Sequence, residues 1–150
     1  GTYLSAPLGR RTEVSNVDPT HAFPFGHGLG YDTFTWSSVR VVPGDGSWAT
    51  DGDVELELDV RNPGTRSGAD VVQLYLHDKV RSLTPPMREL KAFEKIKLKA
   101  GESTTVEFSL TAEDLKFYNG ELEFVYEPGE FEYSVAGSSA GEFQGSFTLE

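Results

Sequence analysis

The sequence predicts an all-β fold, an antiparallel β-sandwich of about seven short strands, and three observations lead to this prediction. After Thr33, apolar and polar residues alternate with a period of two, as strands buried on one face require. Sixteen glycines and eight prolines among 150 residues supply frequent turns. Helical features are confined to residues 111–115, where Thr111 can cap a single turn that has acidic residues near its positive end.

The clearest predicted strand is segment 54–61, in which four apolar residues alternate with four charged ones. Segments 34–36 and 39–41 together are predicted to form a first strand. Further predicted strands are 71–76, 90–98, 105–110, 123–126 and 131–135, and Phe143, Phe147 and Leu149 close the set. In segment 71–76 we expect Val72, Leu74 and Leu76 to point inward. Short strands separated by turns at this spacing are typical of an immunoglobulin-like sandwich, and a small barrel is the alternative.

Composition and charge exclude several classes of function. The 13 basic and 24 acidic residues give a net charge of −11, which argues against binding to nucleic acid or to an anionic lipid surface. No apolar run approaches the ~20 residues of a membrane span. There are no cysteines and three histidines, so we expect no metal site and no cofactor. The chain starts at Gly1 and its one methionine is Met87, so we expect a fragment or a processed product.

The N-terminal part differs from the rest of the chain. Residues 1–32 contain glycine and proline throughout and show no sustained period, and they end in the run FPFGHGLGY at 23–31. Glycines at every second position would make an isolated strand floppy. We therefore predict an irregular linker over 1–32, packed on a preceding domain or on the sandwich, and a sandwich over 33–150.

Several segments carry a resemblance to a known family. The run FPFGHGL at 23–29 resembles the segment before the C-terminal fibronectin type III-like domain of glycoside hydrolase family 3, the β-glucosidases and β-xylosidases. Similar runs follow in the family's order, namely VVQLY at 71–75, RELKAFEK at 88–95, AGES at 100–103, LTAEDL at 110–115 and EPGEF at 127–131. The similarity covers residues from about 20 to 150. Small departures occur at His21, Ala22, Gly30 and Ala92.

The resemblance implies the fold, the parent activity and the partner. It implies a fibronectin type III-like sandwich in a parent enzyme that hydrolyses terminal non-reducing β-linked sugars with retention, in carbohydrate catabolism. The family's aspartate nucleophile lies in a preceding barrel, and its acid/base glutamate usually lies in the following α/β domain. Neither fits into this chain, so we assign no catalytic residue here. The expected role is a non-catalytic structural and interaction domain, inactive alone, whose partners are the catalytic domains of the same parent.

Two sets of residues are candidates for contact with other molecules. We expect Phe23, Phe25, His27 and Tyr31 to contact the neighbouring domains, because an aromatic-rich irregular segment needs apolar cover. The alternative function is a carbohydrate-binding module centred on Trp48, which lies in a polar Gly/Asp loop. An indole face can stack beneath a pyranose ring while the ring hydroxyls stay hydrated. Trp36, Tyr31 and Tyr75 are weighed as further members of such an aromatic platform.

Charged rows are interpreted as solvent-exposed faces. Glu55, Glu57 and Asp59 share one face of a strand, spaced ~6.5–7 Å apart on an open surface, which does not make a catalytic carboxylate pair. Lys95 and Lys97, in a cluster with Lys91 and Lys99, are expected to guard an exposed sheet edge or to face that acidic row.

Overall fold

The computed structural model describes residues 22–31, 33–42, 47–48, 53–83 and 87–150, with the main chain alone for 47–48. Eleven strands and one 3₁₀ turn lie within these ranges, arranged as two larger sheets and a small two-stranded hairpin. The predicted all-β sandwich is confirmed.

The first sheet is built around β4 (Asp53–Arg61). Strand β7 (Ser103–Thr111) pairs antiparallel with it along the whole length, and the short strands β1 (Thr35–Trp36) and β2 (Arg40–Val42) share its other side. The alternation in the sequence explains the burial of β4. Its four apolar side chains are at most 1% exposed, and they are Val54, Leu56, Leu58 and Val60.

The second sheet has five strands in the order β3 (Ser47–Trp48), β11 (Gly145–Leu149), β10 (Gly129–Ala136), β5 (Gly68–Asp78) and β6 (Glu89–Leu98). Its neighbours pair antiparallel except for the parallel pair β3–β11. The pairing of β5 with β6 shifts register between Leu74 and Tyr75. Such a bulge re-aims the side chains on either side of it.

A short connection joins the first sheet to the hairpin. The 3₁₀ turn Ala112–Leu115 follows β7, and the amide and hydroxyl of Thr111 both donate to the Asp114 carboxylate at 2.8 Å. The predicted helical turn is thus confirmed. The hairpin follows, with β8 (Phe117–Tyr118) antiparallel to β9 (Phe124–Val125). Of this pair, the sequence pattern predicted only the second strand.

The two larger sheets enclose a single apolar core. Burial of one large apolar side chain contributes roughly 1.5–3 kcal/mol. Besides the inner face of β4, the core contains Val72, Leu74, Leu76, Ile96, Leu98, Val106, Phe108, Leu110, Leu115, Phe131, Tyr133, Val135, Phe147 and Leu149.

A buried asparagine fastens one end of the sandwich. The Asn62 side chain donates to the carbonyl oxygens of Arg66 (2.8 Å) and Leu98 (3.1 Å), and its own oxygen accepts from the Gly64 amide (2.9 Å). Its main chain pairs with Gly101 and Glu102. Asn62 therefore joins the end of β4 to the end of β6, with its buried polar groups satisfied as burial demands.

The lysine cluster and the acidic row lie in different sheets. Lys95 and Lys97 belong to β6, the outermost strand of the second sheet, where lysines oppose pairing with other chains. The acidic side chains of β4 are instead paired by Arg40, which lies 3.4 Å from Glu57 and 3.0 Å from Asp59. The prediction that the lysines face the acidic row is wrong, because β6 pairs with β5 and not with β4.

Candidate interdomain docking site

The outer face of β5 is unexpectedly buried. Val72, Leu74 and Leu76 face the core as predicted, so Gln73 and Tyr75 point to the other side of the sheet. That side would normally be hydrated. Yet Tyr75 is fully buried and Gln73 is 6% exposed, and Ser134, the partner of Tyr75 on β10, is also buried. A further layer of chain must therefore cover the second sheet here.

One part of this layer is the irregular segment 22–31. Its chain turns tightly at Pro24, where the His27 amide donates to the Pro24 carbonyl oxygen at 3.1 Å. The Phe25 carbonyl oxygen accepts a hydrogen bond from the Ser139 amide at 2.8 Å. The segment is thus attached to the loop that follows β10.

Gln73 is the centre of the contact between this turn and the sheet. Its amide nitrogen donates to the carbonyl oxygens of Gly26 (3.0 Å) and Gly137 (2.8 Å), and its oxygen accepts from the Tyr75 hydroxyl (2.5 Å). The same hydroxyl lies 3.4 Å from the Phe25 carbonyl oxygen. We call Gln73, Tyr75 and the Ser139 amide the main-chain clamp. Gln73 and Ser139 donate hydrogen bonds to carbonyl oxygens of the turn, and Tyr75 donates to the Gln73 side chain and so orients it.

The clamp requires glycine at position 26. Gly26 has φ +78°, a conformation that residues with a side chain rarely adopt. A Cβ built on it would overlap the side-chain oxygen of Gln73 and would lie 2.5 Å from the Tyr75 hydroxyl. Gly26 is therefore the one residue of the turn whose identity the sandwich fixes directly.

Arg88 and the loop after β10 complete the cover over Tyr75. The Arg88 guanidinium donates to the Gly141 carbonyl oxygen and lies 4.2 Å from the centre of the Phe143 ring. Phe143 lies in the loop before β11 and not in a strand as predicted. Burial raises the pKa of the Tyr75 hydroxyl, and the nearby Arg88 charge offsets part of this rise. Tyr75 therefore stays protonated and able to donate to Gln73 at neutral pH.

The aromatic side chains of the turn point away from the sandwich. Phe23 is 67% exposed, Phe25 is 50% exposed and Tyr31 is fully exposed. The His27 ring stacks on Phe23 with centroids 4.9 Å apart and planes inclined by 17°. The structure thus gathers three of the four predicted contact residues on one turn, and it places Tyr31 at the end of the same segment.

An open cleft of about 540 Å³ separates the segment from the edge of the second sheet. Residues 26–30 form one wall, and Asp70, Gln73 and Lys95 contribute polar side chains to the other. The cleft leaves the Gly26 and Gly137 side of the clamp accessible to water, whereas the Tyr75 side is closed.

Two of the aromatic residues considered for a sugar-stacking platform, Tyr75 and Trp36, are held in other contacts. Tyr75 cannot stack on a sugar, because it is fully buried under the turn. Trp36 packs partly buried against the core. The main chain of Trp48 pairs with Leu149, and its side chain lies outside the part of the chain that the structure describes. Carbohydrate binding by Trp48 therefore stays a prediction.

Asp59 is a surface carboxylate held in an ion pair with Arg40. The side-chain hydrogen bonds from Arg40 and Thr105 hold the pKa of the exposed Asp59 carboxyl below its usual value.

Within the described ranges, no group of three or more His, Asp or Glu side chains is placed to hold a metal ion. No helix in the same ranges is long and apolar enough to cross a membrane.

The clamp was not predicted from the sequence, in which Tyr75 was considered only as part of a sugar-stacking platform and Gln73 was given no role. One signal was available, because the outward row of β5, Val71, Gln73 and Tyr75, carries no charge, whereas the outward row of β4 is charged throughout. An uncharged outward row indicates that a second layer covers the strand.

Comparison with known proteins identifies the domain. Residues 70–139, from within β5 to the loop after β10, match the family model of the fibronectin type III-like domain. The chain contains a fibronectin type III-like domain. The domain superposes with a TM-score of 0.85 on part of a β-glucosidase from Erythrobacter marinus, at 33% identity over 100% of the chain and 20% of that protein. A β-glucosidase from Listeria innocua in complex with glucose gives 0.82, at 32% identity over 99% of the chain and 22% of that protein.

Curated relatives confirm the resemblance to the fibronectin type III-like domain of family 3 glycoside hydrolases. The domain is 44% identical to a periplasmic β-glucosidase of Salmonella typhimurium over 85% of the chain, and 38% identical to a β-xylosidase of Formosa agariphila over 94%. The matches cover 16% and 20% of those proteins. The fibronectin type III-like domain thus spans about a fifth or less of the relatives it matches.

Proposed function

We propose that this fibronectin type III-like domain is a non-catalytic structural and interaction domain of a family 3 glycoside hydrolase. Its parent would hydrolyse terminal non-reducing β-D-glycosidic bonds as a β-glucosidase or a β-xylosidase. The support is that relatives with both activities contain a similar domain within a much longer chain. The partners are the catalytic domains of the same polypeptide.

One observation carries the interaction role. The clamp holds the main chain of the turn through the carbonyl oxygens of Phe25 and Gly26, while the aromatic side chains of Phe23 and Phe25 remain exposed. A turn with a fixed backbone and outward aromatic rings is preorganised for docking, since little conformational freedom is lost on contact. We propose that residues 1–32 are the linker and that Phe23, Phe25, His27 and Tyr31 contact the neighbouring domain.

Four described carboxyl groups have pKa shifts opposite to the one that a glycosidase acid needs. Asp59, Glu89, Glu127 and Glu130 have lowered pKa values, because arginine, lysine or serine partners stabilise their charged forms. At Glu89 these partners outweigh the opposing effect of burial. The general acid of a glycosidase needs the opposite shift, since it must hold a proton near neutral pH.

The docking role is tested by melting the longer polypeptide. Replacing Phe23 and Phe25 with serine should leave the 150-residue chain within about 0.5 kcal/mol of its original stability, because both rings are exposed there. In the longer polypeptide each replacement should cost about 1.5–3 kcal/mol if the ring is buried against a neighbour. Val42→Thr is the control, since Val42 is 43% exposed on the first sheet. Unchanged melting of the longer double variant would count against docking.

The parent activity is tested separately with aryl β-glucosides and aryl β-xylosides. We expect turnover by the longer polypeptide and none by the 150-residue chain. Turnover by the chain alone would overturn the non-catalytic role.

A further inference from the structure

A second exposed apolar surface lies where the β8–β9 hairpin meets the loop after β5. Tyr118 is 65% exposed, Leu122 82% and Phe124 53%, and the loop contributes Val80 at 66% and Leu83 at 45%. We call these five residues the hairpin surface. Exposed apolar residues are common singly, but a group on two adjoining segments indicates a contact site.

The loop after β5 is bonded to the chain that follows the hairpin. The Ser82 amide donates to the Glu127 carboxylate at 2.8 Å, just beyond β9. The Lys79 amide donates to the Glu130 carbonyl oxygen in β10 at 3.1 Å. These bonds place the loop beside the base of the hairpin, where the Tyr118 and Phe124 rings contact each other with centroids 4.9 Å apart.

Leu122 occupies an unfavourable position in this surface. Its φ is +63°, in the left-handed region that favours glycine or asparagine, and it is the one non-glycine residue with positive φ in the described ranges. The turn itself is organised by Asn119, whose side-chain oxygen accepts from the amides of Glu121 and Glu123 at 2.9 Å. A leucine that is both strained and exposed gains nothing within the domain, so its side chain is explained by a contact outside it.

The hairpin surface is held rigid from below by Arg81. Its side chain is 8% exposed, and it donates to Asp78 and to Glu89, each at 3.1 Å. The guanidinium also lies 4.1 Å from the centre of the Phe117 ring in β8. Arg81 thus connects the loop to the hairpin and connects both to the sandwich, so the surface is preorganised in the absence of a partner.

The charge around the surface selects the partner. Residues 117–127 contain Glu121, Glu123 and Glu127 and no lysine or arginine. The two cations of the loop, Lys79 and Arg81, already form ion pairs with carboxylates of the sandwich. Two copies of this chain meeting through the hairpin would bring these carboxylates together, and like charges in an interface are unfavourable. A complementary surface has an apolar centre and a rim of lysine or arginine.

We propose that the hairpin surface docks on a protein surface with an apolar centre and a basic rim elsewhere in the same longer polypeptide. This inference rests on the proposed function, since it needs the parent chain. It adds a second point of attachment to the turn at residues 22–31. Two separate attachments would fix the orientation of the domain as well as its position.

Hydrogen exchange compares the 150-residue chain with the longer polypeptide. In the longer polypeptide, we expect the amides of 117–126 to exchange at least about tenfold more slowly. Equal rates in the two proteins would overturn the inference. The exchange of amides in residues 22–31 tests the proposed function separately. If these amides are protected in the longer polypeptide and those of the hairpin are not, the proposed function stands and this inference is refuted. Protection that grows with concentration in the 150-residue chain would identify a second copy as the partner and also overturn it.

Leu122→Asn separates a docking role from a structural one. Asparagine tolerates positive φ, so the variant should raise the melting temperature of the 150-residue chain by about 2 °C or more. In the longer polypeptide, the same change should remove most of the protection over 117–126. A lower melting temperature of the chain, or undiminished protection in the longer polypeptide, would contradict the proposal.

Discussion

Replacing Gln73 with methionine removes the centre of the main-chain clamp while keeping a side chain of similar length. The change deletes both donations to the carbonyl oxygens of Gly26 and Gly137, and it leaves the Tyr75 hydroxyl without its acceptor at 2.5 Å. Three hydrogen bonds are therefore lost at a position that is 6% exposed.

The expected cost follows from where each lost partner lies. The two carbonyl oxygens belong to residues that line the open cleft, so water can replace Gln73 and each loss should cost roughly 0.5 kcal/mol. The Tyr75 hydroxyl is closed off from water and would keep only the longer contact to the Phe25 carbonyl oxygen at 3.4 Å, so the loss of its 2.5 Å acceptor should cost about 1–2 kcal/mol. Together these give a loss of about 2–3 kcal/mol in the free energy of unfolding. Tyr75→Phe should cost about 1 kcal/mol, and the double variant should cost less than the sum of the two, because it leaves no poorly bonded hydroxyl.

Urea unfolding of the 150-residue chain measures these changes. With a slope of about 1–3 kcal/mol per molar for a small domain, the Gln73→Met midpoint should fall by about 1 M or more. Proteolysis within residues 22–31 should accelerate in the same variant, because the turn loses its anchor. An unchanged midpoint, or strictly additive effects of the two substitutions, would refute the clamp.

Two further substitutions test buried polar contacts. Asn62→Ala removes three side-chain hydrogen bonds at a fully buried site, so the free energy of unfolding measured in urea should fall by about 2–4 kcal/mol. Asn62→Asp keeps only the acceptor and should also lose stability. An unchanged urea midpoint for either variant would contradict this account. At Glu89, burial alone would raise the pKa, but Lys91 and Arg81 together lower it below 4.5. The charged form of Glu89 therefore stabilises the fold above about pH 4.5, and this contribution is lost as the pH falls through the lowered pKa. The difference in the free energy of unfolding between Glu89→Gln and the original chain should therefore shrink between pH 7 and pH 3. A difference that does not vary with pH would show that the ionisation of Glu89 is not coupled to folding.

Periodicity revealed the local structure but not which strands meet. Segment 54–61 was predicted within one residue, because alternation in the sequence directly reports one buried face. The lysines of β6 were assigned either to an exposed sheet edge or to a position facing the acidic row, because nothing in their spacing tells which sheet the strand joins. The first strand of the small hairpin, β8, was not predicted, because two residues are too few for any period to be visible.

The candidate site was predicted only in part for a related reason. Phe23, Phe25 and His27 were predicted as contact residues because they are aromatic rings in an irregular segment. The groups that hold their backbone, Gln73 and Tyr75, lie 47 to 50 positions away in the chain. The sequence shows that β5 has an uncharged outward row, but it does not show which distant segment covers that row.

The clamp grips carbonyl oxygens, and this has a practical consequence for building chimeric enzymes. Because the clamp bonds to the backbone of the turn, the side chains on either side of Gly26 can be replaced to suit a new neighbour without removing those hydrogen bonds. A chimera should therefore keep the glycine together with Gln73 and Tyr75 from one source. Positions 23, 25 and 27 should come from the protein that supplies the new neighbour.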